Sequence, residues 1–437
     1  MNIKNLYNLY TISSGVEINS KKVKKGSIFF ALKGKNFNGN QFANEAISNG
    51  AMMSIVDDPR YTFPFKNIFF VKNTLFSLQE LAKYHRLQLQ NIPIIAITGS
   101  NGKTTTKELT AAILAEKYNL VHSTNENFNN HIGIPLTILS MSKKTQISVI
   151  EIGANHEKEI EKMCSIINPD YGYITNFGKA HLEGFKDMKG VIRGKLELYD
   201  FLKKNKKKVF VNGDDPIQLT NSLGMNRYIF SEKYNSYVNV KIKYSWNQKN
   251  LTSILDLNNL QIVSKLIGNY NLYNIASAIT IGNYFQVSLK KIKKAVEKYV
   301  PNNYRSQIFQ KKNIKIIMDC YNANPTSMKN ALTYFNNQIE GKKIAILGDM
   351  DELGFSSKEE HQKIIFYLEK SNINTVFLIG EMFFHTTIKT SDKVKKFFNK
   401  NIFIQCINNY CSIILNTDYL LIKGSRKNYL ESIIDLI

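Results

Sequence analysis

The segment AITGSNGKTTTKELTAAI, residues 96–113, sets Gly99 and Gly102 just ahead of Lys103 and Thr104. Glycines let backbone N–H groups curl around an oxyanion, and the helix that follows adds its positive end. A lysine there neutralises β- and γ-phosphates, and a threonine hydroxyl can ligate Mg²⁺. The pattern reads G-x-x-G-K-T; the commoner, longer form has another glycine at the position held here by Ile97. The apolar run IPIIAI before it and the helix-like KELTAAI after it make this a phosphate loop rather than an incidental turn.

Other residue types invite the same question. Glu151 ends the apolar run ISVIEIG, where a carboxylate at a strand's C-terminal end suits a metal ligand beside a phosphate loop. His181, in ITNFGKAHLEGF, follows another strand end, and by position it reads equally as a structural residue or a ligand. Lys195, in GVIRGKLELYD, reads on its own as an exposed helix lysine. DCYNANPTSM (residues 319–328) and ILGDMDELG (residues 346–354) place polar, turn-forming residues directly after apolar runs. In α/β folds that is where ligands are met.

These residues need elements to hold them. From residue 92 the apolar runs IPIIAIT, ISVIEIG and YGYITNF alternate with the helical patterns KELTAAILAEKY and EKEIEKMCSII. That alternation predicts a parallel sheet covered by helices. A further set of strands, IKIIMDCY, KKIAILGDM, NTVFLIG and YLLIKGS, begins after Arg305. The expected architecture is α/β with three domains, residues 1–91, 92–303 and 304–437.

Composition bounds the rest. The 437 residues are 43 % hydrophobic and 21 % charged, as in a soluble chain with real cores. No apolar run approaches the roughly 20 residues of a membrane span, and no secretory signal is evident at MNIKNLYNLY. Cys164, Cys320, Cys406 and Cys411 show no C-x-x-C spacing, so the expected setting is a reducing cytoplasm without membrane insertion. The net charge of +23 raises an anionic partner: nucleic acid, a membrane surface or a polyphosphate substrate. The basic residues are spread along a chain also rich in Asn, Ile and Tyr, and no helicase-type or RNA-module motif is present, so compositional drift is preferred.

In this order GSNGKTTT, STNENFNNHIGIP, EIGANH, AHLEGF, GNYNLYN, YNANP, LGDMDELG and KGSR resemble the Mur ligases over residues 26–426. Within that family they are similar to the member that adds D-alanyl-D-alanine to UDP-N-acetylmuramoyl-tripeptide. No D-N-P-R segment like that of the ligase adding the third residue is present. The resemblance implies an N-terminal UDP-substrate domain, a central ATPase domain and a C-terminal Rossmann-like domain. It implies ATP-dependent amide formation through an acyl phosphate, giving the pentapeptide precursor of peptidoglycan, ADP and phosphate. ATP would be held by Gly99, Ser100, Asn101, Gly102, Lys103, Thr104 and Thr105, with Asn271 and Asn274 near adenine. Arg305 would reach the γ-phosphate, and Asp319 and Tyr321, with Asn322 on the same loop, the ribose side. Mg²⁺ would be held by Thr104, Glu151, His181 and Lys195, the lysine carrying a carbamate derived from CO₂. Lys103, Glu151, His181 and Lys195 would form the catalytic set.

The same resemblance puts Ser20, Lys21, Thr124, Asn129, Asn130 and Asn324 on the UDP-muramoyl or dipeptide substrate. A monomer without nucleic-acid partners is expected. The chain departs from the family at Lys21, where arginine is usual, and at Asn38 and Asn40, where Asp and His are common. It also departs at Tyr304, a usual glycine, and at Met318, often an acid. Lysine lacks arginine's planar fork, so a weaker hold on substrate is expected at residue 21. A ligase of the same family using another amine, and a nucleic-acid-stimulated ATPase, are the competing readings.

Overall fold

The computed structural model describes residues 2–64, 66–233, 235–247, 251–301, 304–387, 391 and 393–436. Its centre is a seven-stranded, all-parallel sheet. In order across the sheet the strands are Val240–Lys241, Asn226–Ser231, Lys208–Asn212, Tyr171–Ile174, Ile94–Thr98, Ile147–Glu151 and Val121–Ser123. All five residues of Ile94–Thr98 and of Ile147–Glu151 are buried, as continuous apolar strands covered on both faces must be. Alternation splits the first strand between two cores. Ile95 and Ile97 pack with Leu109, Ile113, Ile275 and Ile279 of the helices Lys103–Ala115 and Asn269–Tyr284. Ile94 and Ala96 face Ile160, Ile167 and Leu198 of the helices Glu159–Ile167 and Met188–Lys204.

The strand Ile94–Thr98 lies between strands that come later in the chain: its own connection runs to Val121–Ser123 on one side, and the connection after Ile147–Glu151 crosses to Tyr171–Ile174 on the other. A crevice opens at such a point. The segments following Thr98, Glu151 and Ile174 all meet there.

An N-terminal sheet of four parallel strands, Val16–Glu17, Ile28–Phe30, Met53–Val56 and Ile68–Phe70, precedes it. The third large sheet has six strands, ordered Gln307–Lys311, Ile314–Asp319, Tyr419–Lys423, Lys343–Gly348, Thr375–Ile379 and Val394–Phe397. Only its first pairing is antiparallel. One element was not expected. Lys243–Asn247, Thr252–Leu257 and Leu260–Ser264 form an antiparallel meander between the central sheet and the helix Asn269–Tyr284. No helix among the described residues is long and apolar enough to cross a membrane, and all four cysteines are free.

Candidate active site

The phosphate loop is held by the turn that follows the neighbouring strand. Ser100 donates its N–H to Asn176 O at 3.0 Å and its hydroxyl to Gly178 O at 2.8 Å. Asn101 donates its N–H to Asn176 Oδ1 at 3.2 Å, while its carbonyl accepts from Thr175 Oγ1 at 2.6 Å and Asn176 Nδ2 at 2.9 Å. Gly99 sits at φ +140°, and a Cβ there would lie 2.0 Å from Thr175 Oγ1. Only glycine fits that approach.

Lys103 opens the helix and curls back, donating Nζ to Gly99 O at 2.8 Å and Ser100 O at 3.1 Å. Burial pushes its pKa down, while the Glu151 carboxylate opposes the shift. Glu151 is fixed from two sides. Its N–H donates to Thr124 Oγ1 at 2.9 Å, and its Oε1 accepts from Asn129 Nδ2 at 2.8 Å. Its Oε2 is buried with no hydrogen-bond partner among the described residues.

Lys195 is not the exposed helix lysine its sequence context suggests. It is 1 % exposed on the helix Met188–Lys204, 4.9 Å from the Phe185 ring centroid, and donates to Ala154 O at 3.2 Å. Burial first, and then the nearby Lys103 charge, bring its amine down to about 7. Two residues on, Glu197 does different work. It accepts the N–H groups of Lys158 at 2.5 Å and Glu161 at 2.9 Å, anchoring the first turn of Glu159–Ile167. His181 has φ +53° and sets Nδ1 2.6 Å from Glu352 Oε2, an ion-pair distance whose alignment falls short of a hydrogen bond.

The six-stranded sheet brings the opposite wall. The Arg305 guanidinium carbon lies 3.6 Å from the Tyr321 ring centroid, and Arg305 Nε is buried without a partner among the described residues. The flanking Tyr304 and Ser306 take φ +55° and +52°, the left-handed region that favours glycine, so this turn is made with strained backbone. Asp319 pairs with buried Lys423 at 2.6 Å and accepts the Ser306 N–H at 3.2 Å. Asn274 donates Nδ2 to Asn271 Oδ1 at 2.8 Å and accepts from Thr106 Oγ1 at 3.3 Å, tying Asn269–Tyr284 to the loop's helix.

These walls enclose a cleft of about 1060 Å³. Ser100, Asn101, Gly102, Lys103, Thr104 and Thr105 line it, as do Glu151, His181, Asn271 and Asn274. Asn129 and Asn130 reach it from the loop after Ser123, and Arg305, Asp319, Tyr321 and Asn322 from the six-stranded sheet. Gly99, Thr124, Lys195 and Asn324 do not line it; Thr124 spends its hydroxyl on Glu151, and Asn324 caps the helix Pro325–Asn337. Asn130 lines the cleft yet spends its side-chain oxygen on the N–H groups of Ile132 and Gly133.

Ser20 and Lys21 are also absent from the lining; they form the 3-10 turn Ser20–Lys22 of the N-terminal region. Asn38 and Asn40 join a local network, with Asn40 donating to Asn38 Oδ1 at 2.8 Å and to Asp57 Oδ1 at 2.9 Å. Sequence reasoning missed Thr175, Asn176 and Lys423, whose signal was a polar residue one or two places beyond, or at the end of, an apolar strand.

Mg²⁺ takes oxygen ligands and leaves much of its shell to water and phosphate. A free carboxylate oxygen on Glu151 and the Thr104 hydroxyl fit that demand. Among the described residues no group of three or more His, Cys, Asp or Glu side chains is placed to hold a metal ion alone.

A phosphate loop at the switch point of a parallel sheet, faced by a second α/β sheet carrying Arg305, defines a nucleotide-using α/β protein. The comparisons are more specific. Residues 13–97 match the Mur ligase family catalytic domain, 97–282 the Mur ligase middle domain, and 304–426 the Mur ligase glutamate ligase domain. The UDP-N-acetylmuramoyl-tripeptide–D-alanyl-D-alanine ligase of Bacillus subtilis is 32 % identical over 98 % of this chain and 94 % of its own. Its counterpart in Buchnera aphidicola subsp. Baizongia pistaciae is 34 % identical over 99 % and 94 %. Among solved structures, MurF from Acinetobacter baumannii is 27 % identical with a TM-score of 0.86, covering 98 % of this chain and 97 % of its own. MurF ligase from Thermotoga maritima in complex with ADP is 26 % identical with a TM-score of 0.83 over the same shares, 98 % and 97 %. The chain belongs to the Mur ligase family.

Proposed function

We propose that this chain is the ATP-dependent ligase that joins D-alanyl-D-alanine to UDP-N-acetylmuramoyl-tripeptide, forming the peptidoglycan precursor in the cytoplasm as a monomer. One observation carries the reading: Lys103, Thr104, Glu151 and Arg305 come from two α/β sheets to line a single cleft. Residues 1–91 serve as the UDP-substrate domain, 92–303 as the ATP-binding domain and 304–437 as the closing Rossmann-like domain.

A carboxylate oxygen is a poor leaving group, so the tripeptide acid first attacks the γ-phosphorus of ATP and releases ADP. The dipeptide amine then attacks the acyl phosphate, and phosphate departs. Catalysis of this kind is positioning and charge stabilisation. Lys103 leaves its loop carbonyls for the phosphates, the loop N–H groups cradle them, and Arg305 approaches from the facing wall with an unpartnered Nε. Asn271 and Asn274 sit one helical turn apart for the base, and Asp319, Tyr321 and Asn322 stand on the ribose side.

Mg²⁺, when bound, screens the phosphate charge and orients the transferred group. Thr104 and Glu151 would hold it, with His181 contributing Nε2. Burial favours the free base of Lys195, the form that adds CO₂ with loss of a proton, and the carbamate would turn this lysine from a cation into an oxygen ligand. Asn129 contributes by orienting Glu151. Thr124, Asn130 and Asn324 act on substrate through the backbone they fix, while Ser20 and Lys21 contact the uridine nucleotide.

The experiment is phosphate release from ATP and Mg²⁺ with UDP-N-acetylmuramoyl-tripeptide, with and without D-alanyl-D-alanine. Release that needs both, with an equal yield of amide, is expected. Coupling to a different amine would overturn the dipeptide while keeping the chemistry.

A further inference from the structure

The turn between the strand Tyr171–Ile174 and the helix Leu182–Phe185 is bonded on both sides. Its first half, Thr175 to Gly178, holds the phosphate loop through the bonds to Ser100 and Asn101 described above. Its second half is held by the C-terminal region. Lys179 donates its N–H to Thr326 Oγ1 at 2.8 Å and its Nζ to Glu360 Oε1 at 2.6 Å. Beyond His181, Glu183 donates its N–H to Glu352 O at 3.1 Å.

Gly178 marks the crossing. A Cβ there would lie 3.0 Å from Thr326 Oγ1 and 3.1 Å from Asn101 Nδ2, so loop, turn and helix meet in tight contact at this glycine. Two residues before Thr326, Asn324 exchanges amide bonds with Asn101, donating at 2.7 Å and accepting at 3.4 Å. Asn101 is thus tied at once to the turn and to the helix Pro325–Asn337.

Glu360 is anchored independently of Lys179. Its side chain is 7 % exposed, and Lys363 also pairs with it at 2.9 Å. Removing the Lys179 ammonium therefore leaves no unpaired buried charge. Lys179 takes part in neither cleft wall nor proposed chemistry.

We infer that residues 175–181 are a relay, and that Lys179 is the positioning residue that makes phosphate-loop shape depend on docking of the C-terminal domain. This rests on the nucleotide site proposed above and adds to it a route between the two domains. A coupled pair of sites is joined through an element that both sides bias, and typical coupling changes affinity by about five- to 150-fold.

The test uses the full chain and compares wild type with Lys179→Met and Lys179→Arg. Two quantities are measured: KM for ATP in the coupled assay, and compaction on saturation with ADP and Mg²⁺ by small-angle X-ray scattering. Lys179→Met is expected to raise KM for ATP about tenfold and to reduce compaction, with its melting temperature unchanged. Lys179→Arg, which keeps the pair, should stay within about twofold of wild type. A Lys179→Met enzyme that matches wild type in both measurements overturns the relay. Should that variant fail to fold, Glu360→Met carries the same test, since it removes the acceptor of Lys179 while Lys363 keeps its pair with Glu359. The scattering arm needs no acceptor substrate. Lack of coupling to D-alanyl-D-alanine in wild type would therefore count against the ligase reading alone.

Discussion

At the scale of single residues, Lys195 shows what placement does to an amine. Its folded pKa lies near 7, set by burial and by the Lys103 charge, whereas an unfolded lysine titrates near 10.5. Between those values the unfolded chain binds a proton that the folded chain does not, so stability rises with pH by about 1.4 kcal/mol per unit from this group. Below pH 7 both forms are protonated and the full penalty of the buried cation remains. The check is the difference between wild type and Lys195→Met in urea unfolding across pH 6 to 10, in CO₂-free buffer. That difference should change in favour of wild type as pH rises above 7, and a flat difference would place the amine in solvent. The phosphate loop was legible from its spacing alone, because glycine and lysine there have few other uses. Lys195 was not, because a helix lysine looks the same in sequence whether solvent or Phe185 lies beyond it.

At the scale of elements, the strands and helices of the central sheet followed from apolar runs and their alternation. The antiparallel meander of residues 243–264 did not. Its strand Thr252–Leu257 alternates buried and half-buried residues, but such a short pattern says nothing about which sheet it joins. The helix Glu159–Ile167 was legible, its anchor was not, since Glu197 lies more than thirty residues later and acts only through the fold. Two backbone N–H groups depend on that carboxylate. Glu197→Ala should lower stability by about 2 kcal/mol, the loss of charge-assisted bonds together with the stranding of their donors. Glu197→Gln, which retains an acceptor, should lose less. Urea denaturation midpoints at pH 7 decide it, and equal midpoints for all three chains would show that water replaces the carboxylate without penalty.

At the scale of the whole molecule, the cleft exists only because the central and C-terminal sheets are docked, and the chain carries its own reporter of that docking. Trp246 is the single tryptophan in the sequence. It stands on the meander strand Lys243–Asn247, and its ring meets Tyr334 edge to face, with centroids 4.9 Å apart and planes at 89°. Tyr334 belongs to Pro325–Asn337, the same helix whose Asn324 and Thr326 touch Asn101 and Lys179, and it lines the cleft. Any tightening of this helix against the phosphate loop must therefore move a ring packed on the indole. Domain closure around nucleotides commonly works through such small displacements. Titration with ADP and Mg²⁺ should shift Trp246 emission to shorter wavelength, as further burial removes water from the indole. Tyr334→Leu, which keeps an apolar contact but removes the ring, should cut the shift while leaving the calorimetric affinity for ADP within about fivefold, because a single aromatic pair contributes only about 1 kcal/mol. An emission spectrum unchanged at saturating nucleotide would mean that the docked interface seen here is already in its final form, and that the nucleotide enters a site assembled beforehand.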